Sequence, residues 1–516
     1  MTTMPPTAER RGPAAQGRLN PFVRDVGTTT VTGLLVTLSS LAVVSLVGRW
    51  MGAMAVGEYL LLRRVGTWLG SGAQLGIGVA LPRYVATTAD QEESTQLCYL
   101  IGAIGCLLAF STGLALVLIA ARPVFAKWFF GSSELAVLIL PLGLILVGQS
   151  LHVSVYGYYR GRLWMHWANG LQAINMALLP ILTVLLFFRS HSVAFIVAIN
   201  GACMLVISAL FVLPISRELV QIHLPRLWPH VNRLLRYGLA RVPGDFALNA
   251  LFALGPVIAS HYLPVSKVSQ LLFGLGILVA ISMGVLPCGI VLLAKISTML
   301  ARGQIHEVRS RLGLFAAAIL ETSVFVSLQV VVFADVLMRI WLGAGYMEGV
   351  QVVRLVVLSI PAYVFFVAMR SAIDAATVVA HNAHSVYVAL AVFVAFSVVA
   401  VRFCSLPFLL HGIAVAIVLG NTVLAWRTTR IAKDLLGVCV PWKESTVPLL
   451  LAFFLGVVSY GIHRWIGPEV GLLSLAMVQL AMAAIFFGAL LKLGSSWLLD
   501  FWRLIQPARE ANAHAR

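Results

Sequence analysis

Charge is scarce in this chain. Only 11% of its 516 residues are Asp, Glu, Lys or Arg, where soluble domains hold about 25%. Acids are the rarer kind, 19 against 36 basic residues, and the net charge is +17. Cysteine is sparse too. Cys98, Cys106, Cys203, Cys288, Cys404 and Cys439 lie in or beside apolar runs, form no CxxC pair and read as small buried hydrophobes. No zinc or haem motif occurs, so no metal site or cofactor is implied. No polar connection is long enough for a soluble domain; the longest is near 216–235. No cleavable signal peptide is expected either. Residues 1–20 are polar and rich in Pro, Ala and Arg, which predicts a disordered tail, and the apolar run that follows is long enough to be an uncleaved anchor.

What is present is apolar length. Hydrophobic residues make up 60% of the chain, and mean hydropathy is +0.95. Runs of about 20 residues, each able to cross about 30 Å of hydrocarbon as a helix, recur throughout. We count about fourteen. They lie near 26–48, 58–81, 98–121, 135–158, 168–188, 193–215, 236–260, 268–293, 312–334, 350–370, 385–403, 408–428, 447–466 and 470–493. A membrane barrel would show short alternating segments instead. The expected class is an all-α, polytopic membrane protein.

The positive charge then reads as topology rather than as affinity for nucleic acid. With the N-terminus in the cytoplasm, about 25 Lys and Arg fall inside and about 11 outside, as the positive-inside rule requires. Both termini are then cytoplasmic. The segment Gln221–Leu235 is basic and amphipathic and carries Pro225, Trp228 and Pro229, so it reads as an interfacial linker. Six spans precede it, six follow, and two remain. The implied organisation is a tail at 1–20, a six-helix bundle at 21–216, a linker at 217–235, a second bundle at 236–430, two accessory helices at 431–495 and a tail at 496–516. Weak echoes support a repeat. Leu75–Ala86 and Met283–Ser297 both run glycines, then Pro, then a basic exit.

Several spans carry polar stripes at helical spacing. The second gathers Arg63, Thr67, Gly70 and Gln74. The first gathers Arg24, Thr28, Thr32 and Ser39. The seventh gathers Arg241, Asp245 and Asn249, and the fifth Asn169, Gln172 and Asn175. Such stripes either line a cavity or join helices by hydrogen bonds. The full charges on the second and seventh favour a cavity, because a charge in lipid costs roughly 2.5–3.5 kcal/mol on insertion scales. Arg64 falls off the stripe and is expected to snorkel to the interface. Arg241 and Asp245 are spaced to pair, with Pro243 and Gly244 between them as a potential helix break. Arg370 and Asp374 repeat that spacing at the end of the tenth span. Glu321 is the deepest acid; it can carry a proton, hold a cation or sit bonded between helices. His152 and Gln149 read as packing residues.

Together these residues resemble a family. GRWMGAMAVGEYLLL and LGIGVALPRYVA resemble the first hairpin of bacterial polysaccharide and O-antigen flippases, members of the multidrug/oligosaccharidyl-lipid/polysaccharide (MOP) exporter superfamily. The shared pattern is Arg49, Gly52, Gly57 and Tyr59, then the exit Arg83–Tyr84. YYRGRLWMHWANGLQAIN resembles the family's connection before the fifth helix, through Arg160, Gly161 and Asn169. Arg236–Leu248 looks like the start of its second half. The resemblance implies two six-helix bundles around a central cavity, two accessory helices, and alternating access that moves a polyprenyl-diphosphate-linked oligosaccharide across the bacterial cytoplasmic membrane. Carried over by location, Arg63, Arg241 and Arg24 would meet the diphosphate, with Thr67, Gln74 and Asn249 beside them. Glu321, Asp245 and Asp374 become the candidates for ion coupling. Polymerases and glycosyltransferases of polysaccharide assembly become expected partners.

Two rivals stand beside that reading. A multidrug antiporter of the same superfamily would favour an acidic cavity, against the arginine-bearing stripes. A membrane enzyme of polysaccharide assembly would need a large outer loop or an acidic motif. The outer loops are short, and their acids (Glu58, Glu134, Asp335, Glu348 and Glu469) form no D-x-D pair.

Overall fold

A computed structural model describes residues 21–88, 93–215, 227–377, 379–467 and 469–492. Among them every regular element is helical. The first helix, Pro21–Ala73, is 53 residues long. At about 1.5 Å per residue that is more than twice a bilayer core. It turns at Gly52, whose φ of 90° and ψ of −179° are open in practice only to glycine. The arms 21–51 and 53–73 are therefore the first and second spans. The second breaks again at Leu75 and Gly76, both at positive φ, and continues as Ile77–Thr87.

Among the described residues twelve helices are long and apolar enough to span, and the bent pair Ala344–Val357 and Ile360–Ala376 makes thirteen. Dividing the first helix at Gly52 accounts for the expected fourteen. The chain is a multi-pass membrane protein. The end of the linker lies in the helix Leu227–Leu239, and residues 217–226 lie outside the described residues. The seventh span begins at Val242 with Pro243 in its first turn. Pro243 and Gly244 thus start this helix instead of breaking it, because a first-turn proline gives up no intrahelical bond.

Small residues set the packing. The fourth span, Ile139–Gly161, lies on the sixth, Val193–Leu210, where a Cβ on Gly148 would meet the Gly201 carbonyl oxygen at 2.7 Å. Between the two halves, a Cβ on Gly57 would lie 2.4 Å from the Val265 carbonyl oxygen, at the start of the eighth span. Close backbone approach of this kind is how helices associate where lipid removes the hydrophobic drive. The thirteenth span, Trp442–Ile466, packs on the ninth, Ile305–Val332, through a buried bond from Ser459 Oγ to Gln329 Oε1 at 2.9 Å. The fourteenth, Leu472–Lys492, joins it by stacking Phe486 on Phe325.

A clearer repeat appears on the face opposite the linker. The third span, Glu93–Ala120, is followed by a short helix, Arg122–Phe130, and a 3-10 turn, Ser133–Leu138. The ninth is followed by Ala334–Trp341 and Ala344–Gly349 in the same order. Each hook grips the other half. Gly131 packs on the carbonyl of Ser260, at the end of the seventh span. Trp341 Nε1 donates to the Leu41 carbonyl at 2.7 Å, Tyr346 Oη donates to the Gly48 carbonyl at 2.8 Å, and Arg49 donates to the Ile340 carbonyl. This reciprocal clasp joins the halves on the face away from the linker.

Candidate functional site

Arg63 and Thr67 of the second span's polar stripe, but not Gln74, line a cavity of about 210 Å³ inside the first bundle. Tyr59, Arg63 and Thr67 come from the second span, Ser40 from the first, Gln149 from the fourth, Asn175 and Thr183 from the fifth, and Asn200 from the sixth. Arg63 Nη1 donates to Ser40 Oγ at 2.8 Å, and its guanidinium lies 5.7 Å from the Tyr59 ring centroid. Thr67 Oγ1 donates to the Arg63 carbonyl at 2.9 Å. Among the described residues, no Asp or Glu lines the cavity.

The fifth span is shaped for this place. It runs as Met165–Ala173, then a π-turn at Ile174–Leu178, then Leu179–Phe187. Such bulges re-aim side chains and often mark functional sites. Here the bulge carries Asn175, whose Nδ2 donates to Ser208 Oγ at 3.0 Å and lies 3.1 Å from His152 Nδ1. Asn175 Oδ1 is buried without a hydrogen-bond partner. One turn earlier, Asn169 Nδ2 donates to Thr28 and Thr29 Oγ1 at 3.2 and 3.3 Å. The fifth-span stripe therefore divides: Asn169 joins helices and Asn175 lines the cavity. Gly70 gives Gln149 its room, since a Cβ there would lie 2.9 Å from Gln149 Oε1. Gln74 is half-buried one turn on, near Gly78.

The two adjacent arginines point to different places. Arg63 enters the cavity, whereas Arg64 is half-buried within electrostatic reach of Tyr363 in the tenth span. Arg64 thus lies away from the Arg63 cavity, as its place off the stripe predicts. Arg241 does not bond Asp245 as the spacing predicts; its Nη1 donates to Tyr237 Oη at 3.3 Å. Arg241 caps the helix that starts at Val242, its carbonyl accepting from Asp245 N at 3.1 Å, while its side chain turns back to Tyr237, one turn earlier. Asn249 Nδ2 donates to the Asp245 carbonyl at 2.9 Å. Neither Arg241 nor Asn249 lines the cavity of Arg63. Glu321 is buried in the ninth span. Asp374 is exposed and accepts from Asn382 Nδ2 at 2.8 Å. Arg24 is helical, but its side chain lies outside the described residues.

Sequence reasoning missed Ser40, Thr183 and Asn200 as parts of one cavity. Asn200, polar within a strongly apolar span, was the available signal. A second, mostly apolar groove of about 290 Å³ lies between the ninth and fourteenth spans, with Phe325, Phe333 and Leu475 on its walls and Gln329 and Gln479 at its polar points.

No protein-family model and no curated protein matches this sequence. Solved structures do. A lipid II flippase, MurJ, in an inward closed conformation aligns with a TM-score of 0.67 at 13% identity, covering 91% of this chain and 100% of that one. An inward-facing multidrug resistance MATE family transporter of the MOP superfamily aligns at 0.59 and 16% identity, covering 81% and 96%. A eukaryotic MATE transporter, AtDTX14, aligns at 0.57 and 14% identity, covering 84% and 100%. At such identities the likeness is one of architecture, and the fold of this chain is that of the MOP-superfamily transporters.

Proposed function

We propose that this chain flips a polyprenyl-diphosphate-linked oligosaccharide from the inner to the outer leaflet of a bacterial cytoplasmic membrane. The bundles 21–216 and 236–430 would alternate in access, with both termini and the linker on the cytoplasmic side. The observation that carries this reading is Arg63, a guanidinium at a cavity where Gln149, Asn175 and Asn200 also meet and where, among the described residues, no carboxylate lines the wall. Such a cation attracts an anion, and its fork matches phosphate oxygens. The amides of Gln149, Asn175 and Asn200 offer both donors and acceptors, as sugar hydroxyls require.

Size refines the proposal. At about 210 Å³ the cavity is smaller than a drug-sized site of roughly 300–1,000 Å³. It suits a diphosphate and leaves the sugars to the space between the bundles. Arg64, within electrostatic reach of Tyr363, would face that space, and Arg241, Arg24 and Asn249 would guide the headgroup toward it. The apolar groove beside the fourteenth span offers a course for a lipid chain. For ion coupling we propose Glu321, buried in the second half, ahead of Asp245 and of Asp374, which is already bonded to Asn382. Polymerases and glycosyltransferases of the same assembly route are the proposed partners.

The likeness to two MATE transporters supports a second reading, export of drug-like solutes. Paired assays separate the readings. Deletion of the gene should abolish glycan export and leave drug tolerance unchanged; the reverse pattern favours the drug exporter. Topology has its own test. Reporter fusions at Gln91 and Arg226 should both report cytoplasm, and an external signal at either would overturn the fourteen-span order.

A further inference from the structure

A second cluster of arginines lies where the second span leaves the membrane. Arg83 Nη1 donates to Tyr237 Oη at 2.9 Å, and Arg241 Nη1 donates to the same oxygen at 3.3 Å. Their guanidinium carbons sit 4.7 and 5.8 Å from the Tyr237 ring centroid. Two like charges from different helices thus share one neutral acceptor. Arg233 does the same on a neighbouring phenol, donating to Tyr99 Oη at 3.5 Å, and Tyr84 packs against both Tyr99 and Tyr237. Among the described residues the ion pairs involve Arg311, Arg339, Arg354 and His463, and none of Arg83, Arg233 or Arg241. Asp245, one turn deeper, makes no ion pair with Arg241. All three arginines are exposed.

The backbone holds the cluster in register. Gly76 and Gly238 touch so closely that a Cβ on Gly76 would lie 2.2 Å from the Gly238 carbonyl oxygen. That contact sets Arg83, two turns along its helix, against Tyr237, the residue before Gly238. A phenol neutralises neither charge, so the cluster leaves its positive charge open to an anion from solvent or from a headgroup.

We propose that Arg83, Arg241 and Tyr237 form a phosphate-binding cradle at the linker face, between the second span and the start of the seventh. Two guanidinium forks and a phenol hydroxyl that is free to turn its proton outward match a tetrahedral anion with several acceptor oxygens. The cradle sits at the end of the spans, beside the linker helix whose Trp228 is 72% exposed. That is the depth of phospholipid headgroups. It does not depend on which cargo the Arg63 cavity takes. The ligand is a phosphate group, borne by an inner-leaflet lipid or free in solution.

The test uses the full chain purified in detergent and follows thermal unfolding. One arm titrates inorganic phosphate against chloride at matched ionic strength. The other titrates phosphatidylglycerol against uncharged diacylglycerol. At least one phosphate probe should stabilise the wild type. R83Q and R241Q should each weaken the apparent affinity about tenfold, the worth of one charge-assisted hydrogen bond. R430Q, an arginine stacked on Trp426 elsewhere, should leave it unchanged. Stabilisation by inorganic phosphate assigns the free ion, and stabilisation by phosphatidylglycerol alone assigns a lipid. No stabilisation of the wild type by either probe, or equal affinity in the wild type and the variants, overturns the cradle. R241Q alone decides the matter if R83Q does not fold.

Discussion

Arg63→Ala is expected to lower glycan export at least tenfold while the protein accumulates in the membrane at its normal level. The first half follows from the worth of hydrogen bonds to charged groups, about 1.5–3 kcal/mol each, or roughly ten- to a hundredfold. The second half follows from its surroundings. Its side chain has one hydrogen bond to protein, to Ser40 Oγ, and no carboxylate is left unpaired when the cation goes. Arg63→Lys should restore part of the activity, since it keeps the charge and loses the fork. Complementation of an export-deficient strain, read beside a membrane immunoblot, measures both quantities. Wild-type export by Arg63→Ala would remove the cavity from the mechanism.

Gly131→Val should be the most damaging change outside the cavity. Gly131 has φ of 77°, where a side chain costs about 1–2 kcal/mol on conformation alone. The added Cβ would also lie 1.9 Å from the Ser260 carbonyl oxygen. No rotamer relieves a backbone contact, so the end of the seventh span must move away and half of the clasp opens. The expected outcome is a lower unfolding temperature and an export defect at normal synthesis. Gly345→Ala in the corresponding hook serves as the control, because nothing lies within 4 Å of its Cβ position and it has no positive φ. Wild-type stability and export in Gly131→Val would show that the clasp is dispensable.

Much of the fold was legible because lipid imposes a simple rule on length. Every span must be apolar for about 20 residues, and that pattern survives in sequence without any knowledge of packing. The turn at Gly52 was legible as a glycine in a short loop between two runs. The hooks were not. Arg122–Phe130 and Ala334–Trp341 are too short to register as spans, and their grip on the other half runs through backbone carbonyls that any sequence supplies.

The site shows the same division. Helical spacing placed Arg63 and Thr67 on one face and set Arg64 apart, because three residues on one helix obey a single period. It could not gather Ser40, Gln149, Asn175, Thr183 and Asn200 from four other helices, since those contacts depend on rotation and tilt. It also mispaired Arg241 with Asp245. The backbone register fits the spacing, with Asp245 N bonded to the Arg241 carbonyl, but Tyr237 lies one turn earlier and takes the guanidinium instead. Asn169 and Asn175 lie six residues apart in one apolar span, yet the π-turn sends them to different tasks.

Reconstituted flipping tests the central claim most directly. Purified wild-type chain and Arg63→Ala would be placed in proteoliposomes with a fluorescent polyprenyl-diphosphate-linked oligosaccharide, and leaflet exchange followed by quenching from outside. The account predicts exchange in the wild type, at least tenfold slower exchange with Arg63→Ala, and none of an analogue with a neutral group in place of the diphosphate. Equal rates for the charged and neutral analogues, or for the two proteins, would contradict it.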